Sequence, residues 1–219
     1  MTRSLDPAMA PVGDTRAFLH LRDIEISENG VYVFDFDGVI VSSLEDQIYK
    51  LEPTPVERDL LRAASEKFHI RCGSMDQQYQ RHLLYQAAAA HLDIPIEKGP
   101  GFAKAKKAAE IARLFVLTAR SGWYAIERCR QFLQQNGLFP IETYHVGRVR
   151  KDRQIHLVLK EFPDRPVYYI EDSTAHLEDL LQDAEANLNL VFSASSDQAP
   201  DFDSLRAHCE DVLARAIAT

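Results

Sequence analysis

The chain has 219 residues, of which 46% are hydrophobic and 26% charged, and it carries a formal net charge of −8. Such a composition belongs to a soluble globular protein and excludes the disordered and fibrous classes; no apolar run reaches the roughly 18 to 20 residues of a membrane span. The negative charge disfavours nucleic acid as the main partner, because a phosphate backbone is repelled on average.

The length allows one domain carrying an inserted subdomain. Residues 1–29 hold Pro7, Pro11, Gly13 and the turn-like Glu28-Asn29-Gly30, so they read as a loose arm with an ordered piece near 18–26. Charges interrupt every apolar stretch of the first thirty residues; no secretory signal is read there, and a cytoplasmic location is the expectation. Cys72, Cys129 and Cys209 stand far apart without a CxxC spacing, which speaks against a disulfide framework and a structural zinc site.

From residue 31 onward, short β-rich runs alternate with segments of helical period, the pattern of an α/β fold with a mainly parallel sheet. Five strands are predicted, at 31–36, 114–118, 141–146, 167–171 and 188–192. Trp123, Ile126, Cys129 and Leu133 mark a helix after the second strand, with Asn136-Gly137 as its stop. Ile155, Val158, Leu159 and Phe162 mark another, ended by Pro163, and Leu177, Leu180, Leu181 and Ala184 a third. Between Ser42 and about Gly101 no strand is evident. Val56, Leu60, Ala64 and Phe68, then Tyr79, Leu83, Ala87 and Ala90, indicate helices that would cap the carboxyl edge of the sheet. The expected organisation is an arm at 1–29, a core domain at 30–43 and 102–219, and a helical cap at 44–101.

The first strand runs into "VYVFDFDGVIV", where Asp35 and Asp37 end an apolar stretch. Asp-Gly between alternating apolar residues is by itself a hairpin signal. Ligands of open α/β sheets, however, bind outside the carboxyl ends of the strands, and carboxylates at i and i+2 of an extended chain face one side. A divalent cation, Mg²⁺ in particular, would relieve their repulsion, and an aspartate can itself serve as a nucleophile. The later strand ends match: "FVLTAR" supplies the hydroxyl of Thr118, Lys151 opens the helix after the third strand, and "YYIEDS" supplies Glu171 and Asp172.

In that order, "DFDGV", "LTAR", Lys151 and "IEDS" resemble the four motifs of the haloacid dehalogenase-like hydrolases, over about residues 31–192. The resemblance implies a Rossmann-like three-layer core with a five-stranded sheet and a helical cap of the C1 type. It implies Asp35 as nucleophile, Asp37 as general acid/base, and Thr118 and Lys151 on the phosphoryl group. Ala119 and Arg120, just past Thr118, are candidates for the substrate, although an arginine at a strand-to-helix turn is more often a surface residue or an ion-pair partner. Mg²⁺ would be held by Asp35, the main-chain carbonyl of Asp37, Asp172 and, directly or through a neighbour, Glu171. The implied activity is hydrolysis of a small phosphorylated metabolite through an aspartyl-phosphate. A phosphotransferase or phosphomutase, or a silent binding protein of the same fold, are the alternatives.

Asp37 argues against dehalogenation, since a halide leaves without a proton. Phosphonate cleavage would need a reactive cap lysine, and nothing marks Lys50 or Lys67 as one. A receiver domain would carry its acceptor aspartate on a later strand. Arg148, Arg150 and Arg153 crowd Lys151 as rival phosphate-binding cations. His69, His82, His91, His145, His156, His176 and His208 lack ligand spacing and read as structural or solvated. The expected partner is the small phosphorylated substrate, with no nucleic acid and no membrane, and the expected state a monomer or homodimer.

Overall fold

The buried run of "VYVFD" becomes the central strand of a sheet in the computed structural model, which describes residues 18–44, 51–71, 77–147, 149–181, 185–194 and 202–219. The elements in chain order are β1 (Leu19–His20), β2 (Val31–Asp35), β3 (Val41–Ser42), α1 (Pro55–Lys67), α2 (Gln77–His91), β4 (Glu97–Lys98) and α3 (Phe102–Ile111). They continue with β5 (Arg113–Thr118), α4 (Trp123–Gln135), β6 (Glu142–His145), α5 (Asp152–Glu161), β7 (Val167–Glu171), α6 (Thr174–Leu181), β8 (Leu188–Phe192) and α7 (Phe202–Ala218).

The main sheet has six strands in the order β1-β8-β7-β2-β5-β6, all pairs parallel. Every residue of β2 is buried, as a strand covered on both faces must be. Its alternation sorts the core. Tyr32 and Phe34, with Phe36 beyond them, pack with Ala105 and Ala108 of α3 and Cys129, Phe132 and Leu133 of α4. Val31 and Val33 pack on the opposite face with Ile155, Val158 and Leu159 of α5 and Leu177 and Leu180 of α6. The chain leaves β2 toward β5 and β6 and later returns to its other side through β7 and β8. That reversal opens a crevice at the carboxyl end of β2, the topological switch point.

Among the described residues the main sheet has six strands, one more than the five expected, and β3 with β4 forms a separate two-stranded sheet, so that β4 (Glu97–Lys98) stands where no strand was expected. The extra strand, β1, pairs Leu19 with Val191 and His20 with Phe192 at the sheet edge. Two residues are too few to display a period, and the pairing depends on an edge built some 170 residues later. Leu21, Ile24 and Ile26 behind β1 are buried, within the piece expected to be ordered; residues 1–17 lie outside the described residues.

The Asp-Gly turn is tight. Gly38 N–H donates to the Val41 carbonyl (2.8 Å) and Val41 N–H to that of Phe36 (2.9 Å). The antiparallel partner of β3 is not a local hairpin strand but β4, from the far end of the insertion. In α1, Thr54 caps the helix by accepting the N–H of Glu57 (3.0 Å), with Pro55 in the first turn. The α2 face turned inward carries Arg81, Leu84, Tyr85 and Ala88, whereas Tyr79, Leu83 and Ala90 of the expected stripe are only half-buried.

The helical unit gathers its own hydrophobic cluster, in which Ala64, Leu84, Tyr85 and Ala88 meet Leu205, Cys209, Val212, Leu213 and Ala216 of α7. The C-terminal helix α7 packs against α1 and α2, where its apolar stripe finds its complement. Ala184, expected in the third helix, lies outside the described residues.

Candidate active site

Asp35 is the last residue of β2 and is 5% exposed. Its Oδ1 accepts the N–H of Phe36 (2.9 Å) and lies 2.9 Å from the Lys151 ammonium. Lys151, immediately before α5, also donates to Oε2 of Glu171 (2.7 Å). Glu171 closes β7 and is 1% exposed. Its Oε2 accepts the Tyr169 hydroxyl and lies 3.4 Å from His176 Nδ1, while its Oε1 accepts the N–H groups of Asp172 and Ser173, both at 3.2 Å.

One ammonium is thus shared by two buried carboxylates, and they respond oppositely. Burial works to raise Glu171, but Lys151, with the hydrogen bonds of His176 and Tyr169, outweighs it and holds the carboxyl well below the usual range. Asp35 is pushed up, first by burial and then by Glu171, with Asp172 and Asp37 adding and Lys151 opposing. Lys151 is lowered by burial yet raised overall by Asp35 and Glu171, which keeps it charged.

Asp37 faces a different cation. Arg120 Nη2 donates to its Oδ1 at 2.7 Å, and Nε to its Oδ2 at 3.0 Å. The hydroxyls of Ser43 and Thr118 point to Oδ1 (3.1 Å) and Oδ2 (3.4 Å). Burial raises this carboxyl, but the Arg120 charge and hydrogen bonds, with His82 and Ser43, outweigh burial and keep it below its ordinary value. Thr118 is fully buried at the end of β5 and accepts the N–H of Arg120 (3.0 Å).

Above these groups lies a cleft of about 860 Å³, lined on its floor by Asp35, Asp37, Ala119, Lys151, Glu171 and Asp172. Tyr79 and His82 of α2 form part of its wall, so the insertion does overhang the strand ends. Tyr79 bonds through its hydroxyl to Ser121, tying α2 to the loop after β5.

The donor set fits a hard divalent cation. Asp35, Glu171 and Asp172 each offer a carboxylate oxygen within 4.8 Å of the others, and oxygen-only ligands suit Mg²⁺ and its like. Asp35, Asp37, Glu171 and Asp172 outnumber Lys151 and Arg120; burial first, and then the neighbouring carboxylates, raise the Asp35 carboxyl. Gly38 makes the approach possible: its φ is +76°, and a Cβ there would fall 2.3 Å from Asp172 Oδ2. Gly38→Ala is expected to cost about 1–2 kcal/mol from the left-handed backbone alone. It should also displace Asp172 and weaken divalent-cation binding by about tenfold or more. Denaturant titration and calorimetric Mn²⁺ titration check the two effects; wild-type cation affinity would show that Gly38 does not shape the site.

The structure therefore brings Asp35, Asp37, Ala119, Lys151, Glu171 and Asp172 together in the cleft lining, whereas Thr118 is fully buried, outside that lining, with its hydroxyl directed at Asp37. Arg120, expected at the substrate, is instead 0% exposed behind Asp37 and is not part of the cleft lining. Among the cations near Lys151, Arg150 is exposed and pairs with Asp152 (3.2 Å), Arg153 is exposed, and Arg148 lies outside the described residues. His82 and His176, read as structural or solvated, both line the cleft. Ser43, Tyr79 and Tyr169 had not been singled out as contributors. Tyr169 lies two residues before Glu171 on the same strand and Ser43 six residues after Asp37, so an i, i+2 reading of β7 could have found the first; Tyr79 meets Ser121 only through folding.

No family model and no curated protein matches this chain. Among solved structures it is similar to a protein described as a haloacid dehalogenase-like hydrolase from Burkholderia xenovorans, with TM-score 0.48 and 15% identity over 84% of this chain and 97% of that one. It is also similar to a HAD-superfamily hydrolase of subfamily IA, variant 1, from Geobacter sulfurreducens, with TM-score 0.44 and 14% identity over 82% and 97% of the two chains. A haloacid dehalogenase-like family hydrolase from Xanthomonas campestris gives TM-score 0.40 and 16% identity over 91% and 97%.

Proposed function

We propose that this chain is a Mg²⁺-dependent phosphomonoester hydrolase of the haloacid dehalogenase type, working through an aspartyl-phosphate on Asp35. The observation that carries the reading is the convergence of four strand ends: Asp35 closing β2 with Asp37 beyond it, Lys151 after β6, and Glu171 closing β7 with Asp172 beyond it, all lining one cleft, with Thr118 at the end of β5 buried against Asp37.

The Asp35 carboxylate attacks phosphorus; the new O–P bond forms as the bond to the leaving oxygen breaks. Lys151 places positive charge beside that carboxylate and the phosphoryl oxygens. Asp37 gives the leaving oxygen a proton. A phosphoryl dianion arriving beside Asp37 opposes Arg120 and raises the proton affinity of the carboxyl for this step. Water then attacks phosphorus, passes a proton to Asp37, and frees the Asp35 carboxylate with inorganic phosphate. Asp35, Glu171, Asp172 and the main-chain carbonyl of Asp37 would hold Mg²⁺. Bound there, the cation would supply the positive charge that lets an anionic substrate enter an acidic site. Segment 44–101, with α7 packed on it, would act as the cap that excludes bulk water and selects the substrate.

The test is phosphate release from a panel of small phosphomonoesters. Release with Mg²⁺, loss in EDTA and recovery on adding Mg²⁺ back are expected. Turnover indifferent to EDTA would remove the metal from the reading. Consumption of the ester without inorganic phosphate, and only when an acceptor is supplied to take the phosphoryl group, would make the protein a phosphotransferase, and silence under all conditions would make it a binding protein.

A further inference from the structure

Arg120 stands apart from Lys151 in where it lies. It is wholly buried, its guanidinium sits 5.2 Å from the centre of the Phe36 ring, and it is not among the residues that line the cleft. Two of its nitrogens take the two oxygens of Asp37, at 2.7 and 3.0 Å. Ser43 and Thr118 add one hydroxyl to each oxygen. A fork matched to a carboxylate sets the plane of that group as well as its position, whereas an ammonium acts as a point charge.

We infer that Arg120 is a positioning residue that acts through Asp37 and does not touch the substrate: it sets the orientation of the carboxyl that passes the proton. The inference rests on the reading of Asp37 as the proton carrier. Of the roles open to an arginine at this turn it takes ion-pair partner over substrate contact, and it gives a reason for arginine here, since lysine could supply the charge but not the plane.

The experiment compares wild type, Arg120→Met, Arg120→Lys, Asp37→Asn and Arg120→Met/Asp37→Asn with Mg²⁺, on phenyl phosphate and p-nitrophenyl phosphate. These esters differ little in shape but much in how far the departing oxygen needs a proton. Arg120→Met is expected to lower kcat by about 10- to 100-fold with KM little changed, more severely for phenyl phosphate. The double variant should be no slower than Asp37→Asn, and Arg120→Lys should recover only part of the loss. A raised KM with kcat retained, a further loss in the Asp37→Asn background, or full recovery by lysine would each overturn the inference. The double variant removes both buried charges, so it remains informative if Arg120→Met folds poorly. Should wild type release no phosphate from either ester, the proposed function fails. The pairing is then read from thermal unfolding of the same proteins: coupled shifts uphold Arg120 as the holder of Asp37, and additive shifts overturn it.

Discussion

Replacing Asp35 by asparagine is expected to abolish phosphate release, by about 10⁴-fold or more, while leaving the protein at least as stable as wild type. The two halves of this result have separate causes. An amide cannot form the acyl-phosphate, and the neighbouring carboxylate, Asp37, is held by the Arg120 fork and so is not placed to take over the attack. Stability is spared because the ionised carboxylate is costly where it stands: burial, Glu171, Asp172 and Asp37 all raise its proton affinity. A carboxyl whose folded pKa is raised costs stability at pH above that value, and the cost disappears as pH falls below the unfolded value. At neutral pH asparagine removes the cost. Its Oδ1 can still accept the Phe36 N–H, and Lys151 keeps Glu171. Phosphate release and a thermal melt at pH 7 check both halves. Turnover within tenfold of wild type would remove Asp35 as nucleophile, and a large fall in melting temperature would remove the account of its charge.

Arg81→Ala is expected to destabilise the protein by about 3–5 kcal/mol, the range for leaving one member of a buried ion pair alone. Arg81 on α2 and Glu57 on α1 are 6% and 2% exposed and meet as a fork, Nε to Oε1 at 2.7 Å and Nη2 to Oε2 at 3.0 Å. Arg81 also donates through Nη1 to the Leu51 carbonyl, and the Tyr85 hydroxyl donates to Glu57 (3.0 Å). Alanine strands a buried carboxylate between two helices. Removing both charges, as in Glu57→Leu/Arg81→Met, should recover most of the loss, because well-packed apolar side chains replace a buried pair at little cost. Urea titration of the single and double variants measures the difference. A loss below about 1 kcal/mol for Arg81→Ala would mean that water reaches Glu57 easily once the arginine is gone.

The consequences of Arg81→Ala extend to the cleft through α2. That helix carries Arg81 beside His82, and Tyr79 two residues earlier, so its seating on α1 and α7 sets where the cleft wall stands. The C-terminal helix therefore takes part in forming the overhang, although it follows the last strand of the sheet.

The central strand, the four acids and Lys151 were legible because each signal is local. An apolar run ending in acids, a glycine directly after them, and a helix start after a strand are visible within a few residues, and the parallel α/β order brings successive strand ends to one edge. Gly38 belongs in part to this group, since Asp-Gly announces a turn; its closeness to Asp172 does not. The functions of Arg120 and His82, the partner of β3, the edge strand β1 and the seat of α7 had no such signal. Arg120 and Asp37 are 83 residues apart in the chain, and a strand-end arginine has the same composition whether it faces solvent, substrate or a buried carboxylate. Sequence by itself determined the fold class and the order in which chemical groups arrive at the sheet edge, because period and strand order are properties of neighbouring residues. Only the tertiary structure decided which cation holds which acid and which helices form the overhang, because burial and pairing depend on surfaces that exist only after distant segments have packed.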